Sequence, residues 1–284
     1  MSVVLLLARQ RSGTGALNTI FHKIDGVVPL GEVLHPNWLG VGNLFREDED
    51  RSFHGWVSGR TSGPVRHDQL AELFSEYISE LESNSSINVV DIKLNSLNAF
   101  QPSFRSITLP PWILSEFMRR KTPIIWLRRE NFIDCWVSGL VAHANQIWHT
   151  TDVGRLAHSK VAVDMFELRS FVQSAYQEEK YVGEILTDYS PLLSITYEES
   201  FQRDGTLSDA AQEKIAAFIG VDRERFPKQP SIVKQTAWTL AEKVENYKEV
   251  EEYGRRIREA FDGALPVKRR SIWQLLFRLN LYRA

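Results

Sequence analysis

The sequence predicts an α/β fold of three layers, in which helices flank a central, mostly parallel sheet. Short, continuous apolar runs such as Val3–Ala8 and residues 124–127 are typical of strands that are buried on both faces. Segments with apolar residues at helical spacing alternate with these runs along the chain. We therefore expect parallel strands that are joined by helical crossovers.

Each element is predicted from its own pattern. The strand runs are rich in Val, Ile and Leu, and Val28 precedes a proline, which favours extended backbone there. Strands are expected at 3–8, 26–30, 89–94, 124–127 and 193–197. Helices are expected at 16–21, 68–83, 111–120, 131–146, 166–186, 209–219 and 237–261. Residues 37–66 are rich in glycine, and we expect them to form a long loop that carries binding specificity.

Composition and charge exclude several classes of protein. The chain has 284 residues, of which 43% are hydrophobic and 25% are charged, as in ordinary globular proteins. A formal net charge of -2 argues against a nucleic-acid binder with a globally basic surface. Cys135 is the one cysteine, so a disulfide within the chain and a cysteine-rich zinc site are excluded. No apolar stretch is long enough to cross a bilayer, so we expect a soluble, cytoplasmic protein.

The last residues, 266–284, are expected to form a tail that follows a main domain of residues 1–265. This tail has five basic residues, no acidic residue and several apolar side chains between them. A basic apolar helix of this kind can lie on an anionic membrane surface. It can also pack on the domain or on a second copy of the chain, which is the commoner arrangement. A peripheral membrane contact and a homo-oligomer therefore both stay open.

The polar stretch after the first strand is a candidate anion-binding loop. It contains Arg11, Ser12, Gly13, Thr14 and Gly15, and an apolar pattern of helical spacing follows it. Glycines let the backbone approach a ligand closely and adopt positive φ angles. The amides at a helix N-terminus suit a phosphate group. An exposed turn can have the same composition, so the loop alone leaves both interpretations open.

The loop lacks the signatures of two large nucleotide-binding classes. A P-loop nucleoside triphosphatase needs a lysine directly after its last glycine, and neither Gly13 nor Gly15 is directly followed by a lysine. The glycine pattern of a dinucleotide-binding fold is also missing from the loop. The loop therefore fits a single phosphate group better than a triphosphate.

A second candidate anion site follows another predicted strand. Arg128 and Arg129 come directly after residues 124–127, and Ser138 lies in the following helix. Arginine binds phosphate through paired hydrogen bonds, and a serine hydroxyl can add a donor. Parallel strands bring their carboxyl ends to one edge of a sheet, so both candidate sites are expected there. Two sites at one edge fit a nucleotide with two separate phosphates, whereas an exposed Arg pair bound to Glu130 is the alternative.

In their order along the chain, these motifs resemble those of the sulfotransferases that use 3′-phosphoadenosine 5′-phosphosulfate (PAPS). The first loop resembles their 5′-phosphosulfate loop, and the Arg pair with its downstream serine resembles their 3′-phosphate site. Three further segments resemble an acceptor-site glutamate motif, a Tyr-Glu-Asp motif and a C-terminal basic loop with the helix after it. These segments are 31–36, 195–200 and 234–247. The resemblance is strongest to the bacterial carbohydrate type that acts on trehalose or lipo-chitooligosaccharides.

The resemblance implies a P-loop-like domain that moves a sulfuryl group from PAPS to a hydroxyl of a carbohydrate or glycolipid, with no metal. Arg129 and Ser138 would bind the 3′-phosphate, and Lys234 would close over it. The 5′-phosphosulfate would be bound by Arg11, Ser12, Gly13, Thr14, Gly15 and Ala16. Arg11 stands where many members have lysine, and Gly15 stands where many have Thr or Ser, which removes one hydroxyl donor.

Three residues are candidates for the chemistry. Glu32 is the first candidate for the base that takes the proton from the acceptor hydroxyl, by the resemblance and by its place near the sheet edge. His35 is the second candidate, and Arg11 would stabilise the charge of the leaving phosphate. A capping or surface role for Glu32 and a structural role for His35 stay open. Lys93 ends a predicted strand and is expected either to face the cleft or to be solvated.

Two other functions compete with that of a sulfotransferase. A small-molecule kinase with a related loop would need the lysine that the loop lacks. A relative that binds a nucleotide or a partner protein without catalysis stays open because of Gly15. The sequence does not identify the acceptor.

Overall fold

The structure is a computed structural model. It describes residues 2–34, 52–61, 65–99, 110–146, 160–202, 204–227 and 239–262. The candidate residues His35 and Lys234 and the basic tail at 266–284 lie outside the described residues. The predictions made for them are therefore not tested.

Five parallel strands form the centre of the described part of the molecule. Their order across the sheet is β2-β3-β1-β4-β5, and every neighbouring pair is parallel. The strands are β1 (Val3–Ala8), β2 (Val27–Glu32), β3 (Ile87–Lys93), β4 (Ile124–Arg128) and β5 (Leu192–Thr196). The predicted α/β class with a parallel sheet is confirmed.

The most apolar strand lies in the middle of the sheet. All six residues of β1 are apolar and buried. Leu5 pairs with Val90 of β3 on one side and with Ile124 of β4 on the other. A strand without polar side chains is stable in this position because helices cover both faces of a parallel sheet.

Helices follow the strands in the predicted alternation. They are α1 (Thr14–Phe21), α2 (Phe53–Ser58), α3 (His67–Glu82), α4 (Trp112–Arg119), α5 (Phe132–Asn145), α6 (Met165–Leu186), α7 (Tyr197–Ser200), α8 (Asp209–Ile219), α9 (Leu240–Lys243) and α10 (Tyr247–Asp262). Among the described residues, no helix is both long and apolar enough to cross a bilayer.

Apolar side chains pack against helices on both faces of the sheet. On one face Leu7 belongs to a buried cluster that includes Phe74 of α3. On the other face Leu6 packs with Leu17 of α1 and Ile215 of α8. A third apolar cluster joins α5, α6 and α10 beside the sheet. The alternation along each strand therefore decides which residues point toward α1 and the loop before it.

One predicted loop contains a helix. The expectation of a loop throughout residues 37–66 is wrong for Phe53–Ser58, which form α2. The hydroxyl of Ser52 accepts a hydrogen bond from the N–H of Gly55 at 2.9 Å and caps this helix. Phe53 is fully buried, and its ring meets that of Phe74 edge to face at 5.2 Å. Tertiary packing of this one aromatic side chain outweighs the glycine-rich composition.

One predicted helix is interrupted. The expectation of a helix at 237–261 is wrong around Val244, which is extended, with φ of -119°, between α9 and α10. The N–H of Val161 donates to the carbonyl of Lys243, and the N–H of Glu245 donates to the carbonyl of Val161. These bonds to a distant segment replace the helical bonds at this point.

Candidate functional site

The β1–α1 loop brings several backbone amides together at the N-terminus of α1. Gly13 is the N-cap residue and has φ of 92°, and no side chain caps the helix. In the part of the chain that the structure describes, the N–H groups of residues 13–16 meet no hydrogen-bond acceptor. Such amides and the helix dipole together attract an anion.

Only the first of the two loop glycines has the positive φ that the sequence predicts. Gly15 lies inside the first turn of α1, so that expectation is wrong for it. Arg11 has a positive φ of 63° instead, which is uncommon for a residue with a side chain. At Gly13 an added Cβ would also lie 2.6 Å from Cδ2 of Tyr197. Both backbone angle and space therefore require glycine at position 13.

Ser12 places a buried hydroxyl in the loop. Its side chain is 0% exposed, and its Oγ has no hydrogen-bond partner. Leaving a buried hydroxyl without a partner costs about 1–3 kcal/mol. The hydroxyl of Thr14, in contrast, accepts a hydrogen bond from Nζ of Lys93 at 2.7 Å. Ser12 is thus a hydroxyl donor in the loop that the protein itself does not use.

Arg129 carries a buried positive charge to the same place. It is 7% exposed, its Nη1 donates to the carbonyl of Arg11 at 2.6 Å, and its guanidinium lies 4.6 Å from the ring centre of Tyr197. No carboxylate of the described residues forms an ion pair with it, whereas nearby Arg9 pairs with Glu178 at 2.9 Å. A buried arginine without a carboxylate is costly unless an anion joins it.

Ser138 links the two predicted phosphate sites. It is buried on α5, and its Oγ accepts a hydrogen bond from Nη2 of Arg11 at 3.0 Å. Arg129 donates to the backbone carbonyl of Arg11, so the structure brings the two sites together at one edge of the sheet. Arg128 takes no part in this contact, because its guanidinium lies 5.3 Å from the ring centre of Trp126 on the opposite face.

The site is electropositive because two guanidinium groups lie close together. Burial lowers the pKa of Arg11 from its ordinary value, and the charge of Arg129 lowers it further, while Cys135, Glu32 and Tyr197 oppose this shift. Arginine still keeps its proton at neutral pH. The repulsion between the two side chains is relieved when an anion lies between them.

Glu32 is connected to the loop by an ion pair with Lys93. Glu32 ends β2 with its side chain 34% exposed, and its Oε1 lies 3.2 Å from Nζ of Lys93. Lys93 ends β3 and also contacts Thr14 and Asp91. Sequence reasoning left the role of Lys93 open and missed Asp91. Two charged residues at alternate positions near the end of a mostly apolar strand were the signal that could have found the pair.

The turn between β4 and α5 has its backbone amides occupied. The carboxylate of Glu198 accepts hydrogen bonds from the N–H groups of Glu130 and Asn131, both at 3.1 Å. The N–H of Arg129 donates to Glu179, and burial raises the pKa of Glu179 to about 7. The side chain of Asn131 caps α5. Only the side chain of Arg129 is left to bind an anion here.

A cleft of about 460 Å³ opens beside Arg129. Its walls come from the N-terminus of α5, from α7 and from α9 and α10, and they include Asn131, Tyr197, Phe201 and Lys243. The rings of Tyr197 and Phe201 stack with centres 5.0 Å apart. This volume and a mixture of aromatic and charged walls are typical of small-molecule sites.

The described residues contain no group of three or more His, Cys, Asp or Glu placed to hold a metal ion. The expectation that the reaction needs no metal stays a prediction.

No family model matches the chain, and no curated protein gives a significant match.

Proposed function

We propose that the protein is a sulfotransferase that moves a sulfuryl group from PAPS to a hydroxyl of a carbohydrate or glycolipid. The observation that carries the proposal is the uncapped N-terminus of α1 beside two buried polar groups, Ser12 and Arg129, that have no anionic partner. Amides, a hydroxyl and a guanidinium in this arrangement form a P-loop-like site for a nucleotide with separate phosphate groups.

The residues fit the two ends of PAPS differently. The amides of residues 13–16 and the hydroxyl of Ser12 suit the 5′-phosphosulfate. Arg129 and the adjoining cleft suit the 3′-phosphate and the nucleoside, because the cleft offers aromatic rings beside a charge. When bound, PAPS supplies an activated sulfuryl group. In this proposal the guanidinium of Arg11, which donates to Ser138 beside Arg129, neutralises charge on the leaving phosphate.

Glu32 is the proposed general base. Its carboxylate is partly exposed, so a hydroxyl of the acceptor can reach it, and Lys93 connects it to the loop. An acceptor hydroxyl that loses its proton to an oxygen of Glu32 becomes a better nucleophile. His35 remains the second candidate. A glycan or small-molecule acceptor and a cytoplasmic location belong to the same proposal.

Calorimetry with 3′-phosphoadenosine 5′-phosphate (PAP), the nucleotide left after transfer, tests the site first. We expect PAP to bind the wild-type protein and the control Arg119→Ala, whose exposed side chain pairs with Glu116 on α4. Mass spectrometry then tests transfer from PAPS to a panel of sugars, glycolipids and phenols. A protein that does not bind PAP overturns the proposal, and PAP binding without any transfer favours a non-catalytic relative.

A phosphoryl-transfer enzyme is the second candidate, because Lys93 offers from β3 the ammonium that the loop itself lacks. Its Nζ lies 2.7 Å from Oγ1 of Thr14, at the first residue of α1. A lysine at that place can contact an outer phosphate. ATP turnover with Mg²⁺, together with failure of PAP to compete with ATP, would favour this function over sulfuryl transfer.

A further inference from the structure

A buried charged cluster lies under the N-terminal half of α1. Asp91 and Lys93 occupy alternate positions of β3 and are 1% and 3% exposed. Asn18 of α1 is buried beside them. Burying an ion pair costs free energy that a well-packed apolar pair would not cost. The two charges therefore indicate a role other than packing.

The two oxygens of Asp91 have different partners. Oδ1 accepts a hydrogen bond from Nζ of Lys93 at 2.5 Å, and Oδ2 accepts one from Nδ2 of Asn18 at 2.9 Å. Burial raises the pKa of Asp91, and the charge of Lys93 opposes this shift. Since both oxygens are engaged and the residue is buried, Asp91 acts on its surroundings through these partners.

Lys93 connects Asp91 to the proposed reaction site. A lysine ammonium has three N–H donors. Three acceptors surround it here, because Oγ1 of Thr14 lies at 2.7 Å and Oε1 of Glu32 at 3.2 Å in addition to Asp91. Three acceptors for three donors hold the ammonium at one point. Thr14 belongs to α1 and Glu32 ends β2, so this point joins the loop helix to the sheet edge.

We propose that Asp91 is a positioning residue that, through Lys93, holds the carboxylate of Glu32 at a fixed place beside the anion loop. This inference rests on the proposed function, in which Glu32 accepts a proton there. Without the charge of Asp91, the ammonium of Lys93 keeps no buried counter-ion, and Glu32 loses its fixed partner. A general base that moves by about 1 Å can lose on the order of 10²-fold in rate.

The substitution Asp91→Asn tests the proposal because it keeps the size of the side chain and removes its charge. We expect kcat to fall by roughly tenfold to a hundredfold, while the Kd for PAP changes by less than about threefold. Glu116→Gln is the matched control, because Glu116 is a buried carboxylate in the network of α4 with Arg119 and Arg120. It should lower the free energy of unfolding and leave kcat unchanged. Equal losses of PAP affinity and turnover in Asp91→Asn would overturn the proposal.

A double-mutant cycle separates a role through Lys93 from an independent one. In a Lys93→Gln background, Asp91→Asn should change kcat by less than about twofold, because the link to Glu32 is already broken. Losses that multiply instead would show that Asp91 does not act through Lys93.

Chemical labelling gives a readout that does not depend on activity. We expect acetic anhydride to label Lys93 about tenfold faster in Asp91→Asn than in the wild type or in Glu116→Gln, as read by mass spectrometry. Unchanged labelling overturns the inference even where PAP binding and transfer are intact. Failure of the wild type to bind PAP overturns the proposed function instead, and the labelling result still decides whether Asp91 holds Lys93.

Discussion

The β1–α1 loop and the β4–α5 turn have the same order of strand, turn and helix, yet they offer different groups to an anion. In the first loop the amides of residues 13–16 have no acceptor among the described residues, and no side chain caps α1. In the turn, Glu198 and Glu179 accept the amide hydrogen bonds and Asn131 caps α5. The first loop can bind through its backbone, whereas the turn can bind through the side chain of Arg129.

Position at a sheet edge therefore does not by itself make an anion site. Carboxylates of α6 and α7 already accept the hydrogen bonds of the turn amides, so these amides are not available to a ligand. Among the described residues, no carboxylate accepts a hydrogen bond from the amides of the first loop, and the ring of Tyr197 lies against Gly13. We therefore expect substitutions at the loop to affect both chemistry and binding, and substitutions at the turn to affect one part of the ligand.

The largest expected effect is on the rate of transfer and not on the binding of the nucleotide. Glu32→Gln should lower kcat by roughly 10²–10⁴-fold and leave the Kd for PAP unchanged, because the amide keeps the size of the side chain but cannot take a proton. Steady-state transfer assays and calorimetry measure the two quantities. If His35→Ala gives this result and Glu32→Gln does not, the base has been misassigned.

The next largest effect concerns the side chain of Arg129 in the turn. Arg129→Ala should weaken binding of PAP by about 1.5–3 kcal/mol, since it removes a charge-assisted contact, and should affect adenosine 5′-phosphate much less. Arg128→Ala is the control, because that side chain lies over Trp126 on the other face of the sheet. Equal losses for both nucleotides in Arg129→Ala would mean that the arginine only supports the loop through the carbonyl of Arg11.

A smaller effect tests the backbone of the loop. Gly13→Ala should weaken the binding of PAP and of adenosine 5′-phosphate alike, by about tenfold, because backbone strain in the loop displaces its amides. Gly26→Ala is the matched control: Gly26 also has a positive φ, of 77°, but nothing lies within 4 Å of an added Cβ. A loss confined to PAP in Gly13→Ala would contradict a role of this loop in binding the 5′ end.

The smallest effect concerns the pH dependence of the turn. Burial raises the pKa of Glu179 from its usual 4.5 to about 7, so the folded state holds this proton more tightly than the unfolded state. The stabilising contribution of the protonated carboxyl is therefore present below pH 4.5 and is lost as the pH rises toward 7. We expect a loss of about 1 kcal/mol in the free energy of unfolding over this interval, since partial exposure weakens the effect.

Urea unfolding at several pH values, with Glu179→Gln as the comparison, measures this contribution. The variant carries no titrating group at this position, so its stability should fall less between pH 4.5 and 7. Parallel curves for the two proteins would show that Glu179 does not titrate in this range.

Local sequence was enough to predict most of the elements. The continuous apolar run of β1, the proline after Val28 and the helical spacing in α3 and α6 are short-range signals, and the structure confirms them. The positive φ of Gly13 was predicted in the same way, because glycine before a helix is a local feature. The break at Val244 was not predictable, because the residues on either side of it, Lys243 and Glu245, form backbone hydrogen bonds with Val161, which is far away in the chain.

The candidate site shows the same division between local and distant information. Which polar residues follow each strand was evident from local sequence alone, and parallel strands bring such residues to one edge. Long-range packing, in contrast, sets the hydrogen bonds of Glu198 to the amides of the turn and that of Asp91 to Asn18. These partners are separated by many residues and meet only when α1 and α7 pack on the sheet. Which buried groups keep an unused donor thus depends on three-dimensional contacts, since each donor is satisfied by whatever acceptor the fold brings within about 3 Å.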